Sequence, residues 1–140
     1  MSGFSDVVAG LQTVLQAQIV GLQAYDYPAD SVNTFPAAVI LPEPVDYEIA
    51  FAGNTFVAEL RVIVLVASGD DAVGFRQLYD FIDPTDSARS IRRAVRTDRT
   101  LNGKVDDSDV IRAENIGRRE IWGGFYFGFD AIVEFIKTVA

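Results

Sequence analysis

The stretch Phe56 to Val66, FVAELRVIVLV, decides how the rest of this chain is read. It opens with Phe56, Ala58, Leu60 and Val62 on one side, while Glu59 and Arg61 interrupt the other. From Val62 onward it is solidly apolar. Alternation followed by a continuous apolar run reads as a strand that starts half-exposed and ends covered on both faces. Its neighbours supply partners. Val45, Tyr47, Ile49 and Phe51 alternate with Asp46, Glu48 and Ala50, and Ala52-Gly53-Asn54-Thr55 follows as a turn, so residues 45–66 read as a β-hairpin. Near the C-terminus, Gly123-Gly124 turns the chain into a last strand. There Phe125, Phe127, Phe129, Ala131, Val133 and Phe135 share one face, and Tyr126, Gly128, Asp130, Ile132, Glu134 and Ile136 share the other.

Helical periodicity appears in three places. Phe4, Val8, Leu11, Leu15, Ile19 and Leu22 recur every three or four residues, an amphipathic helix of about five turns with Ser5 or Ser2 as cap. Gly10 and Gly21 weaken it by about 1 kcal/mol each relative to alanine. Ser68-Gly69-Asp70-Asp71 caps a second helix, with Phe75, Leu78, Tyr79 and Ile82 as its apolar stripe. A third begins with Asp83 as N-cap and Pro84 at the first helical position, turning Ala88, Ile91 and Val95 inward. Between the first helix and the short apolar strand Ala37 to Leu41, residues 24–36 read as a long loop. Its Tyr25, Tyr27 and Phe35 either anchor an interface or tuck onto the core. Leu101-Asn102-Gly103-Lys104 is a turn, and a heavily charged strand follows around Val110 to Arg118.

The expected order is helix, three strands, two helices, two strands (α-β-β-β-α-α-β-β). Short turns favour antiparallel pairing. The fold class expected is therefore α+β: two layers, with a mostly antiparallel sheet of four to five strands carrying the N-terminal helix and two central helices. At 140 residues and 49% hydrophobic content, one domain with a sizeable core is expected.

Composition narrows the chemistry. With no cysteine and no histidine, the chain has no thiol nucleophile, no thiolate metal site and no imidazole base. There is no phosphate-cradling GxxxxGK loop and no serine elbow, so no enzyme, no cofactor and no catalytic residue is expected. Asp106, Asp107 and Asp109 lack the EF-hand spacing and read as a solvated turn rather than a metal site. Asp80, Asp83 and Asp86 read as helix-end residues. No leader-like N-terminus and no membrane-length apolar run appear, which reads as a soluble, cytoplasmic product.

The net charge of -8 is unevenly placed. Residues 1–60 hold seven acids and no Lys or Arg, and all twelve basic residues fall from Arg61 onward. Arg89, Arg92, Arg93 and Arg96 follow helical spacing on one face. Three readings are open: a solvated face, docking on an acidic partner surface, or phosphate contacts to DNA, the last opposed by the overall negative charge. If copies of the chain meet head to tail, the acid-only region complements the arginines, and a contact that closes makes a ring. The subunit-interface candidates are thus Arg89, Arg92, Arg93, Arg96, Asp46, Glu48, Tyr25 and Tyr27.

The element order, with the run LYDFIDPTDSARSIRRAVRTDRTLNGKVDDSDV, resembles the tail terminator (tail completion, neck-associated) proteins of long-tailed bacteriophages. The features that carry it are the amphipathic N-terminal helix, the aromatic-proline step Phe35-Pro36, and the long apolar strand Phe56 to Val66. They continue with a Leu-x-x-x-Ile-Asp-Pro break (Leu78, Ile82, Asp83, Pro84), a Ser-x-x-x-Ala helix (Ser90, Ala94), a Leu-x-Gly turn (Leu101, Gly103), and the charged and Tyr/Phe-rich final strands. The resemblance spans nearly the whole chain and its motifs are loose. It implies a virion protein assembled in the host cytoplasm. Such a subunit forms a homohexameric ring on the head-proximal end of the tail tube, where it stops polymerisation and meets the tail tube protein and a head–tail connector protein. DNA passes through the lumen without sequence-specific binding. Another neck component, an adaptor or stopper, is the neighbouring expectation, and a small α+β ligand-binding or regulatory module the more distant one.

Overall fold

The strand quoted first runs through the centre of a mixed sheet, in a computed structural model that describes residues 4–26, 35–44, 51–52, 55–66, 71–85, 87–121 and 124–138. In chain order the elements are α1 (Phe4–Gln18), β1 (Gln23–Tyr25), β2 (Ala37–Pro42), β3 (Phe51–Ala52), β4 (Thr55–Val66), α2 (Asp71–Ile82), α3 (Ile91–Thr97), β5 (Asp107–Ile121) and β6 (Gly124–Thr138). The strands lie in the order β1-β2-β4-β6-β5, with β3 also paired to β4. Every neighbouring pair is antiparallel except β1 with β2. The result is the expected two-layer α+β fold.

The change along β4 from alternation to a solid apolar run has the anticipated consequence. Ala58, Leu60, Val62, Val64 and Val66 enter the main core with α1, α2, α3 and Phe127, Phe129, Val133 and Phe135 of β6. On the other face, Val57 is exposed and Glu59 and Arg61 are half-buried, whereas Ile63 and Leu65 are buried with Ala37 under Tyr25, Phe35, Leu41 and Tyr126. Phe51 and Ala52 pair antiparallel with Phe56 and Thr55, while residues 53–54 of the expected turn lie outside the described residues. The part of the expected strand at residues 45–50 lies outside the described residues.

Several local expectations change. Gln23–Tyr25, read as the start of a loop, forms a parallel edge strand on Ala37–Val39. Helix α1 ends at Gln18, about a turn early, with Gly21 at φ +83. Ser5 lies inside its first turn and Ser2 outside the described residues. Helix α3 starts with Ser90 as N-cap, its side chain accepting from the Arg93 N–H, rather than with Asp83. Asp83 instead closes an Asx-type turn, accepting from Thr85 N at 2.8 Å. Ala88 is consequently exposed, and Ala94 takes the inward place beside Ile91 and Val95. In α2, Phe81 is buried while Tyr79 is 61% exposed, because the inward row runs through Gly74, Leu78 and Phe81.

Gly10 is a close-approach position. A Cβ there would lie 2.2 Å from the carbonyl oxygen of Leu101, so the glycine lets the 101–104 turn sit directly on α1. That turn holds three successive left-handed residues, Leu101, Asn102 and Gly103 (φ 50, 61 and 79), and Leu101 is fully buried. Lys137 Nζ donates to the Lys104 carbonyl at 2.7 Å and ties the turn to β6.

Candidate interaction surfaces

Three surfaces gather the chain's polar chemistry. The first is the sheet face turned away from the helices. Arg61 projects there from β4, and its Nη1 donates to Asp130 Oδ2 at 2.5 Å while Nη2 donates to Glu43 at 2.5 Å and Glu114 at 3.0 Å. The register explains the meeting: Arg61 lies opposite Ile132 and Ile63 opposite Asp130, so Asp130 is a diagonal neighbour on the same face. Glu114 lies opposite Asp130 on β5. Asn115 Nδ2 also donates to Asp130 at 2.9 Å, and that residue's φ of 56 belongs to the bulge between Glu114 and Gly117. Arg61 side-chain exposure is 23% and that of Asp130 2%. The Arg61 guanidinium is held protonated far above its ordinary range, first by its hydrogen bond to Glu43, then by Asp130, against the opposing effect of burial. Farther along the face, Glu59 lies opposite Glu134, and Arg112 approaches Glu59 at 3.9 Å and Glu114 at 3.6 Å.

The second surface is α3 with its approaches. The arginines read as one face do not act together: Arg92 and Arg96 converge on Asp109, while Arg93 and Arg89 turn elsewhere. Arg93 donates from Nε to the Ser87 carbonyl at 3.0 Å and from Nη2 to the carbonyls of Ala88 and of Gln18, the last at 3.1 Å, so it bridges the C-terminal end of α1. Arg96 grips Asp109 in bidentate fashion at 3.1 and 3.2 Å. The Arg92 Nε lies 3.7 Å from the same carboxylate and is buried without a hydrogen bond. Arg89 precedes the helix, with its guanidinium 5.7 Å from the Phe81 ring centroid.

Asp107 pairs with Arg99 through two hydrogen bonds of 2.6 and 3.0 Å. Of the three aspartates read as a solvated turn, Asp107 and Asp109 thus serve as ion-pair acceptors, while Asp106 accepts hydrogen bonds from Thr138. The Arg99 hydrogen bond holds the Asp107 carboxyl below the usual range. For Asp109 burial opposes ionisation, but Arg96 and Arg92 with the Val110 N–H outweigh it and hold that carboxyl low as well. Among the described residues, no group of three or more acids is arranged to hold a metal ion.

An apolar groove of about 530 Å³ opens between α2, α3 and β5, lined by Phe81, Ile82, Ile91, Ile111, Ala113 and Phe129 with Arg92, Asp109 and Arg112 among its polar groups. Of the remaining sequence candidates, Tyr25 is half-buried on β1 and packs over the second cluster. Asp46, Glu48 and Tyr27 lie outside the described residues.

The third surface is the sheet's two edges, which are treated differently. In parallel β1, Ala24 points its N–H and C=O away from β2, and α1 receives both: Gln16 Oε1 accepts from Ala24 N at 3.1 Å and Gln12 Nε2 donates to Ala24 O at 2.7 Å. At the opposite edge β5 runs 15 residues, with Ile111 and Ile116 exposed. No helix among the described residues is long and apolar enough to cross a membrane. No protein-family model matches the chain, and no curated protein matches it either.

Proposed function

We propose that the chain is a virion structural subunit, a tail terminator that joins copies of itself in a ring at the head-proximal end of a phage tail tube. The observation that supports this reading best is the element order: the N-terminal helix, the central hairpin strand β4, the helix pair broken at Asp83-Pro84, and the closing strands β5 and β6 occur in the sequence the resemblance implies. The helices all pack on one side of the sheet, which leaves broad charged surfaces for neighbours. The ring has six copies as the resemblance implies, its lumen passes DNA without reading sequence, and its two rims meet the tube protein and the head–tail connector. The work is done by contact rather than by turnover.

Electron microscopy of particles made without this protein tests the reading. Tails of uncontrolled length are expected. Headless tails of normal length would move the chain to an adaptor or stopper role, and normal virions would refute a neck function. A second reading, a small-ligand module, is favoured by one feature: the apolar groove beside Arg92 and Arg112 has the volume of a ligand pocket. An endogenous small molecule released on denaturing freshly purified protein would establish that alternative.

A further inference from the structure

We infer that the groove between α2, α3 and β5 binds a small monoanion with an apolar body, a carboxylate on an aromatic or aliphatic frame, and that Arg92 recognises its charge. This names the ligand class of the small-molecule reading and rests on that reading; it is independent of a role in a tail. The volume of about 530 Å³ lies within the range of sites that hold compact organic ligands. The walls specify the apolar body. Phe81 comes from α2, Ile91 from α3 and Phe129 from β6. Strand β5 adds Ile111, the residue left over where its register with β6 shifts between Val110 and Arg112. Ile111 is 44% exposed, so an apolar ligand lying against it would remove hydrocarbon from water.

Three groups set the sign of the charge. Asp109 gives its carboxylate to Arg96 through two hydrogen bonds of 3.1 and 3.2 Å, and it also accepts from the Val110 N–H. The Nε of Arg92 lies 3.7 Å from the same carboxylate, buried and without a hydrogen bond. Two guanidinium groups around one carboxylate leave a single positive charge in excess. The Arg92 side chain keeps 36% exposure, so an anion in the groove can reach it and supply the acceptor that it lacks. Arg112 also lines the groove, but its guanidinium turns to Glu59 and Glu114 on the sheet face away from the helices, as its place opposite Ile132 requires. Neither of those glutamates lines the groove. Among the described residues lining it, Asp109 alone opposes an anion, and Arg96 already neutralises that carboxylate.

The test is isothermal titration calorimetry at low salt with three probes of one shape: naphthylacetate, naphthylacetamide and naphthylethylamine. Chemical-shift mapping places each of them. Naphthylacetate should bind about 10-fold more tightly than the amide and shift Ile111 and Ala113, with the ammonium probe weakest. Arg92→Met should bring the acetate down to the level of the amide, a loss of about 10-fold. Added salt should weaken the acetate alone. Ile111→Asp, at an exposed position that leaves α3 intact, provides a second arm. It sets a carboxylate at the groove and should reverse the order of the acetate and ammonium probes. Equal binding of all three probes, or an acetate affinity indifferent to Arg92→Met, overturns the inference and leaves a groove for uncharged ligands. Binding of none of them, or shifts that map away from the groove, overturns the inference and the small-molecule reading together.

Discussion

Replacing Arg61 with methionine removes the cation from between Asp130, Glu43 and Glu114. Asp130 is 2% exposed at its side chain and Glu43 14%, so neither carboxylate regains full hydration. Breaking a buried pair by deleting one partner costs about 3–5 kcal/mol. Arg61 retains 23% exposure and Asn115 still donates to Asp130, so screening and the surviving bond reduce the expected loss to about 2–4 kcal/mol. For a chain of this size that is a fall in Tm of about 6–12 °C. Urea titration at neutral pH measures it directly. Adding Asp130→Asn to Arg61→Met neutralises the stranded charge and should recover at least about 1 kcal/mol. A loss below about 1 kcal/mol for Arg61→Met, or no recovery in the double variant, would refute the view that this cluster behaves as a buried network.

Other expectations follow from neighbouring contacts. Gly10→Ala, which helix propensity alone would make stabilising by about 1 kcal/mol, should destabilise by about 1–3 kcal/mol because the new Cβ meets the Leu101 carbonyl; differential scanning calorimetry gives the sign. Arg93→Met strands the Gln18 carbonyl at the end of α1 and should cost about 1–3 kcal/mol, with amide exchange accelerated at Ile19 and Leu22. The depressed carboxyls of Asp107 and Asp109 favour folding above the unfolded-state value of about 3.9 and lose that contribution as pH falls through their lower folded-state values. Asp107→Asn with Asp109→Asn should therefore flatten the acid limb of the stability profile below about pH 4. Charge reversal of Arg92 and Arg96 would leave Asp109 facing two carboxylates and should lower Tm before any effect on assembly is read.

Period and punctuation were enough to locate most elements. The switch from alternation to a solid apolar run in β4 reported its two environments, because side chains on a strand alternate faces and only the covered end can afford apolar residues on both. The facing rows of β6 and the Leu101–Lys104 turn were legible for equally local reasons. Non-local partners were not. Nothing at Gln23–Tyr25 reveals a strand until Ala37–Val39 lies beside it, and Asp83 and Ser90 are equally good caps until Ile91, Ala94 and Val95 find the core. The arginines of α3 kept their helical spacing yet divide between Asp109, which takes Arg92 and Arg96, and the Gln18 carbonyl, which takes Arg93, partners that only folding brings to them. Residue order determines which faces are apolar and where the chain turns. Which charge meets which is decided by strand register and edge position, since those bring distant residues within hydrogen-bonding range.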